Sequence, residues 1–127
     1  MLNMYDKELV RDILAQILEA TQKISQRFQP IKKVSDFTDS PAGMEKLDSI
    51  CMLLIAIGES LKNIDKITNN SLLIQYPGID WKGVKGLRDI ITHQYFDIDA
   101  EEIFRVCEKY IPPLSKTIEK IISDLSQ

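Results

Sequence analysis

One short segment of the sequence contains the side chains with the clearest catalytic potential. The stretch "GLRDIITHQYFDID" (residues 86–99) holds the only histidine of the chain, His93, together with Arg88, Asp89 and Tyr95. An imidazole transfers protons near neutral pH, and a guanidinium binds phosphate and stabilises negative charge in a transition state. Together the two groups are sufficient in principle for metal-free RNA cleavage, in which the RNA's own 2′-hydroxyl is the nucleophile.

The spacing of these residues sets conditions on such a site. On a helix, Asp89 and His93 share a face because four residues separate them, so the carboxylate could hydrogen-bond the imidazole. Arg88 precedes His93 by five residues, which corresponds to about 140° around the helix axis and about 7.5 Å along it. The two side chains therefore converge only if the helix ends near His93, if Arg88 reaches around the helix, or if a second copy of the chain completes the site.

Each of these residues also has an ordinary structural interpretation. A single histidine at a helix end is common without any function, and Tyr95 could be a half-buried aromatic that packs over the end of a bundle. The neighbouring Phe96 is predicted to belong to the core. Lys82, Lys85 and Arg88 form a weakly cationic segment of the kind that usually faces solvent.

The second predicted helix carries two polar residues within an otherwise apolar surface. Glu59 and Asn63 lie one turn apart, and they either line a cleft or face water. Gly58 lies beside them and indicates close backbone packing, since glycine costs up to about 1 kcal/mol against alanine inside a helix. The helix has two apolar stripes and so requires two packing partners, which are neighbouring helices or a second subunit. The stripes consist of Met44, Leu47, Cys51, Leu54, Gly58 and Leu61, and of Ile50, Leu53, Ile57 and Ile64.

Composition narrows the class of protein. The 127 residues, 44% hydrophobic and 28% charged, suit one soluble domain over residues 1–127. A net charge of −3 argues against nucleic-acid binding by bulk electrostatics. Cys51 and Cys107 are predicted to be buried apolar residues of a reducing cytosol, without the spacing of a metal site. No metal and no cofactor is therefore expected.

The hydrophobic pattern predicts an all-α protein that is an up-down bundle of four main helices. The longest apolar run, residues 50–58, is about half of what a bilayer requires, which favours a cytoplasmic protein. Capping residues mark three of the helix starts. The predicted helices cover residues 4–28, begin at Ser40-Pro41, cover 81–94 after Asp80, and begin near Asp99, with a kink or break at Pro112-Pro113.

Several segments together resemble the HEPN superfamily, in its HepT-like branch. "LRDIITHQYF" matches the R-x4-H-x-Y signature through Arg88, His93 and Tyr95. "AIGESLKNI" (56–64) is similar to the family's I-G-E-A-x-K segment, and "YPGIDW" (76–81) is similar to its Y-P-x-I-P-W segment. The departures are Ser60 in place of alanine and Asp80 in place of proline, both outside the signature. With "PPLSKTI", the resemblance covers about residues 5–122.

The resemblance implies an activity and partners. It implies a HEPN-like all-α homodimer in which the signature residues of two subunits meet in a cleft. The family's activity is metal-independent RNA cleavage by the toxin of a type VII toxin–antitoxin pair, with no membrane and no DNA involved. Arg88 would bind the scissile phosphate, His93 would be the acid and base, and Asp89 would orient the site.

The same resemblance implies a means of neutralisation. An MNT-type nucleotidyltransferase antitoxin would add AMP to Tyr95, and the added charge and bulk would block RNA from the cleft. The alternative is a non-catalytic HEPN subunit that binds a nucleotide or serves as the partner of a nucleotidyltransferase. The acidic net charge favours this alternative slightly, whereas the intact Arg88, His93 and Tyr95 favour the ribonuclease.

Overall fold

A computed structural model describes residues 5–94 and 96–127, and within them every regular element is a helix. This confirms the predicted all-α class. No helix of the described residues is long and apolar enough to cross a membrane. The elements are α1 (Lys7–Phe28), α2 (Ser35–Thr38), α3 (Pro41–Ile67), a 3₁₀ turn (Leu73–Gln75), α4 (Trp81–His93), α5 (Ala100–Arg105), a π-helical turn (Val106–Tyr110) and α6 (Ile111–Leu125).

The helices begin where the capping residues predict. The Ser40 side chain accepts a hydrogen bond from the backbone N–H of Gly43 at 3.0 Å, and Asp80 accepts one from Gly83 at 3.0 Å. Asp99 caps α5 in the same way. Each cap satisfies an amide that has no partner inside the helix. The cap at Asp80 determines where α4 starts, and therefore where along α4 the signature residues lie.

Helix α3 is the centre of the bundle. It packs against α1 on one side and against α4 on the other, so one chain supplies both partners that its two apolar stripes require. Nearly all residues of the stripes are buried, but Met44 remains 49% exposed. The stripes therefore do not in themselves require a second subunit.

The last helix is interrupted just before its two prolines. Pro112 and Pro113 lie in the first turn of α6, where proline is tolerated because its missing N–H would have no partner there. The preceding turn is π-helical, and the N–H of Ile111 bonds to the carbonyl of Val106, five residues earlier. The interruption predicted at the prolines is a change of hydrogen-bond register in the turn that leads into them.

Both cysteines are buried in the core, as predicted. Cys51 and Cys107 are 3% and 4% exposed. Burial raises the pKa of each thiol to about 12, because the apolar surroundings disfavour the charged thiolate. The two residues therefore act as small apolar side chains of the core rather than as reactive groups.

Helices α3 and α4 pack closely at Gly58. A Cβ atom at this position would lie 3.3 Å from the carbonyl oxygen of Lys85 and 3.4 Å from the Cβ of Arg88. Both of these atoms belong to or adjoin the backbone of α4, so they cannot move without shifting the helix. The close packing predicted from Gly58 is confirmed, and it occurs directly beside Arg88.

We expect Gly58→Ala to lower the free energy of unfolding by about 1–2 kcal/mol, because overpacking outweighs the better helix propensity of alanine. Gly86→Ala is the matched control, since it is also inside a helix and its Cβ would meet nothing within 4 Å. The free energy of unfolding of that variant should rise by roughly 0.5–1 kcal/mol from the helix propensity of alanine alone. Urea unfolding at one protein concentration measures the free energy of unfolding of both variants. An equal increase in the two would contradict close packing of α3 and α4 at Gly58.

Candidate functional site

Arg88 and His93 lie in the last two turns of α4. The helix ends at His93, and the N–H of Gln94 bonds back to the carbonyls of Ile90 and Ile91. The predicted helix end near His93 is therefore confirmed. Arg88 lies on the side of α4 that faces α3, next to Gly58, whereas His93 is exposed.

Two carboxylates hold the guanidinium of Arg88. Its Nε lies 3.0 Å from Oε1 of Glu59 on α3, and its Nη1 lies 3.1 Å from Oδ1 of the adjacent Asp89. The Arg88 side chain is 43% exposed, so solvent still reaches the group. The remaining N–H groups of the fork are the ones available to an anion.

The imidazole of His93 is oriented by the backbone of α4. Its Nδ1 lies 2.6 Å from the carbonyl oxygen of Asp89. A carbonyl oxygen only accepts hydrogen bonds, so Nδ1 must carry the proton and donate it. In the neutral ring this leaves Nε2 unprotonated, and the exposed side chain presents that atom to solvent.

The predicted bond between the Asp89 carboxylate and His93 is not the one that forms. The carboxylate of Asp89 pairs with Arg88, and the main-chain carbonyl of Asp89 takes its place at the imidazole. The hydroxyl of Thr92 also donates to the carbonyls of Arg88 and Asp89. Asp89 thus contacts both members of the predicted pair, one through its side chain and the other through its backbone.

Predictions from the sequence also concern Asn63, Tyr95 and Phe96. Asn63 is exposed on α3, one turn after Glu59. Tyr95 lies outside the described residues. The prediction that Phe96 belongs to the core is wrong, because this side chain is 96% exposed. Phe96 follows the end of α4 and belongs to no helix, so its apolar character alone did not predict burial.

The cationic segment is largely neutralised by α3. Lys85 forms an ion pair with Asp65 of α3, parallel to the pair between Arg88 and Glu59. The spacing of residues along α4 could not reveal that Glu59 contacts Arg88, although the position of Glu59 beside Gly58 was an available signal. Two ion pairs therefore cross the contact between α3 and α4.

Within one chain, Arg88 and His93 do not share a polar contact. Among residues 5–94 and 96–127, no hydrogen bond or ion pair joins the two side chains. The 140° separation expected on a continuous helix thus persists. In the same part of the chain, no group of three or more His, Cys, Asp or Glu residues lies close enough together to hold a metal ion.

The ion pair between Glu59 and Arg88 should contribute little to stability because both side chains are about half exposed. We expect Glu59→Gln to lower the free energy of unfolding by less than about 1 kcal/mol. Asp65→Asn is the comparison, because the side chains of Lys85 and Asp65 are only 25% and 15% exposed. Loss of this pair should therefore lower the free energy of unfolding by more. A loss for Glu59→Gln as large as that for Asp65→Asn in urea unfolding would argue that Glu59 has a structural role.

Comparison with known proteins finds that the chain is similar to ribonucleases. A family model described as "Ribonuclease HepT-like" matches residues 17–121. The chain is 35% identical over 79 residues to a "putative RNase" of Methanocaldococcus jannaschii, an alignment that covers 62% of this chain and 65%, just under two thirds, of that protein. It is 33% identical over 101 residues to another "putative RNase" of the same organism, with 75% and 80% covered.

A further relative is matched over nearly its whole length. The "probable ribonuclease HepT" of Thermococcus cleftensis is 28% identical over 111 residues, which cover 87% of this chain and 94% of that protein. No solved structure gives a significant match. The matched residues include both Arg88 and His93, since the family model extends across α3, α4 and most of α6.

Proposed function

The chain belongs to the HepT-like family of ribonucleases, and from this premise we propose that it is a metal-independent endoribonuclease that acts in the cytoplasm as the toxin of a type VII toxin–antitoxin pair. The proposed protein is a single HEPN domain over residues 1–127 that works as a homodimer and needs no cofactor. The observation that carries the proposal is the bond from Nδ1 of His93 to the carbonyl of Asp89. This bond leaves Nε2 as an exposed proton acceptor at the end of α4.

In the proposed reaction, Nε2 of His93 removes the proton of an RNA 2′-hydroxyl, and the 2′-oxygen attacks the adjacent phosphorus. The bond between phosphorus and the 5′-oxygen breaks, and the leaving oxygen takes up a proton. The products are a 2′,3′-cyclic phosphate and a free 5′-hydroxyl. DNA lacks the 2′-hydroxyl and is therefore not a substrate.

Arg88 would bind the scissile phosphate. Its Nε and Nη1 are already engaged by Glu59 and Asp89, and these contacts orient the plane of the guanidinium before the substrate arrives. An incoming phosphate would take the free N–H groups or exchange with the exposed carboxylate of Asp89. Such exchange costs little because exposed ion pairs contribute at most about 1 kcal/mol.

A second copy of the chain would complete the site. Residues five apart on an α-helix diverge by about 140°, so we propose that one phosphate contacts an arginine and a histidine of different chains. In a homodimer, the arginine of one chain could face the histidine of the other. Two imidazoles in one cleft would also provide a base and an acid for the two proton transfers.

We expect expression of the wild-type protein, without an antitoxin, to arrest growth and to degrade RNA, because the sequence contains both proposed catalytic side chains, Arg88 and His93. His93→Ala and Arg88→Ala should each abolish the effect, with a loss of at least about 100-fold in cleavage rate. Gln94→Ala is the matched control, since this exposed neighbour has no role in the proposed chemistry. Mapping of the RNA ends should find 5′-hydroxyls.

Equal behaviour of wild type and His93→Ala, with RNA intact, would contradict the ribonuclease proposal. It would favour the second candidate, a non-catalytic HEPN subunit that binds a nucleotide or accompanies a nucleotidyltransferase. The neutralisation of Arg88 by two carboxylates and the net charge of −3 are the observations in favour of that candidate.

The proposed partner is an MNT-type nucleotidyltransferase antitoxin that adds AMP to Tyr95. This residue follows the end of α4 by two positions, so a modified Tyr95 would be close in sequence to both proposed catalytic residues. AMP carries a phosphate whose negative charge would compete with RNA for Arg88. The modification would therefore block the cleft by both charge and bulk.

We expect co-expression with the nucleotidyltransferase to add one or more AMP masses to the protein and to suppress its toxicity. Tyr95→Phe should remain toxic and unmodified, because phenylalanine lacks the acceptor hydroxyl. Mass spectrometry of peptides locates the adduct, with Tyr110→Phe as the control. An adduct on another residue, or none, would remove Tyr95 from the mechanism.

A further inference from the structure

A separate cavity of about 430 Å³ lies between the start of α4 and the segment formed by α5, the π-helical turn and the start of α6. None of Glu59, Arg88, Asp89 and His93 lines it. Its volume is within the range of roughly 300–1,000 Å³ that is typical of small-molecule sites. The cavity is therefore distinct from the site proposed for RNA and is large enough for a small organic ligand.

The cavity has an apolar wall, and two cations lie at its rim. Leu54, Val84 and Leu87 belong to its apolar wall, while Arg105 and Lys109 are the cations that line it. Neither cation forms an ion pair with a carboxylate anywhere in residues 5–94 and 96–127. An apolar cavity with positive charge at its edge is complementary to a ligand that has an apolar body and an anionic group.

The rim also carries an aromatic ring, which the π-helical turn brings into place. The side chain of Arg105 donates to the hydroxyl of Tyr110 at 3.2 Å, and its guanidinium carbon lies 5.8 Å from the centre of the ring. In a regular α-helix, residues five apart diverge by about 140°. The i to i+5 register of the π-helical turn instead places Arg105 and Tyr110 on the same side.

Two acidic residues also line the cavity, and one of them is already engaged. Asp80 caps α4 through the N–H of Gly83, so its carboxylate is directed to the helix start. Glu102 is partly buried and forms no ion pair with another described residue. The formal charges of the two acidic residues and of the two cations cancel. Lys109 lies in the π-helical turn and Arg105 directly precedes it, so an anionic group can contact both cations.

From these features we infer that the cavity binds a small aromatic anion. The flat apolar body would enter between α4 and α6 and lie against the ring of Tyr110, which is 44% exposed. The anionic group would stay at the rim between Arg105 and Lys109. This ligand class follows from the combination of an apolar wall, one aromatic ring and two cations without carboxylate partners.

A pair of fluorescent probes tests the assignment. The probe 8-anilinonaphthalene-1-sulfonate carries the anionic group, and N-phenyl-1-naphthylamine has the same aromatic body without it. We expect saturable 1:1 binding of the sulfonate to the intact full-length protein, with an affinity roughly tenfold above that of the neutral probe. The preference should decrease with added salt because the two cations are exposed.

The variant Arg105→Gln/Lys109→Gln should reduce the affinity for the sulfonate roughly tenfold and leave the affinity for the neutral probe unchanged. The neutral probe thus reports whether the cavity is still folded. Lys116→Gln is the matched control, because this exposed lysine of α6 does not line the cavity. It should retain the wild-type preference.

Three results would overturn the inference. The first is no saturable binding of either probe, as would occur if a second copy of the chain covers the cavity. The second is an equal affinity for the two probes in the wild type. The third is the absence of any change in the amide chemical shifts of Gly78 and Gly83 when the sulfonate binds. This measurement is made on the wild type and requires no variant.

Discussion

The close approach of α3 and α4 at Gly58 is the constraint on which the arrangement of polar groups depends. Without a side chain at this position, the backbone of α4 lies within van der Waals distance of α3. Glu59, the next residue, is thereby brought within 3.0 Å of Arg88. A larger separation would leave the arginine with only its neighbour Asp89, and the orientation of its guanidinium would then depend on a single flexible contact.

Because the ion pair between Glu59 and Arg88 is about half exposed, the guanidinium is oriented and still accessible to an anion. A fully buried pair would resist exchange, because removal of one partner leaves an unpaired charge in an apolar medium. A fully exposed arginine would sample many rotamers. Arg88 is 43% exposed and held at two of its nitrogens, so an anion meets a guanidinium of defined orientation whose present partners contribute little to stability. This suits the proposed role in phosphate binding.

Both candidate sites lie where the regular α-helix stops. His93 is the last residue of α4, and the carbonyl of Asp89 one turn earlier orients its imidazole. In the π-helical turn, the altered register places Arg105 beside Tyr110. In an unbroken α-helix, side chains five residues apart diverge, so the contact between Arg105 and Tyr110 depends on the π-helical turn.

The all-α class, the helix starts at Ser40, Asp80 and Asp99, and the burial of the main apolar stripes could be predicted from the sequence. These follow from caps and periodicity, which are local properties of the chain. The exposure of Phe96 and the use of the Asp89 carbonyl rather than its carboxylate were decided only by the tertiary structure. So was the pairing of Glu59 with Arg88, because these residues are distant in sequence and meet only through the packing of α3 on α4.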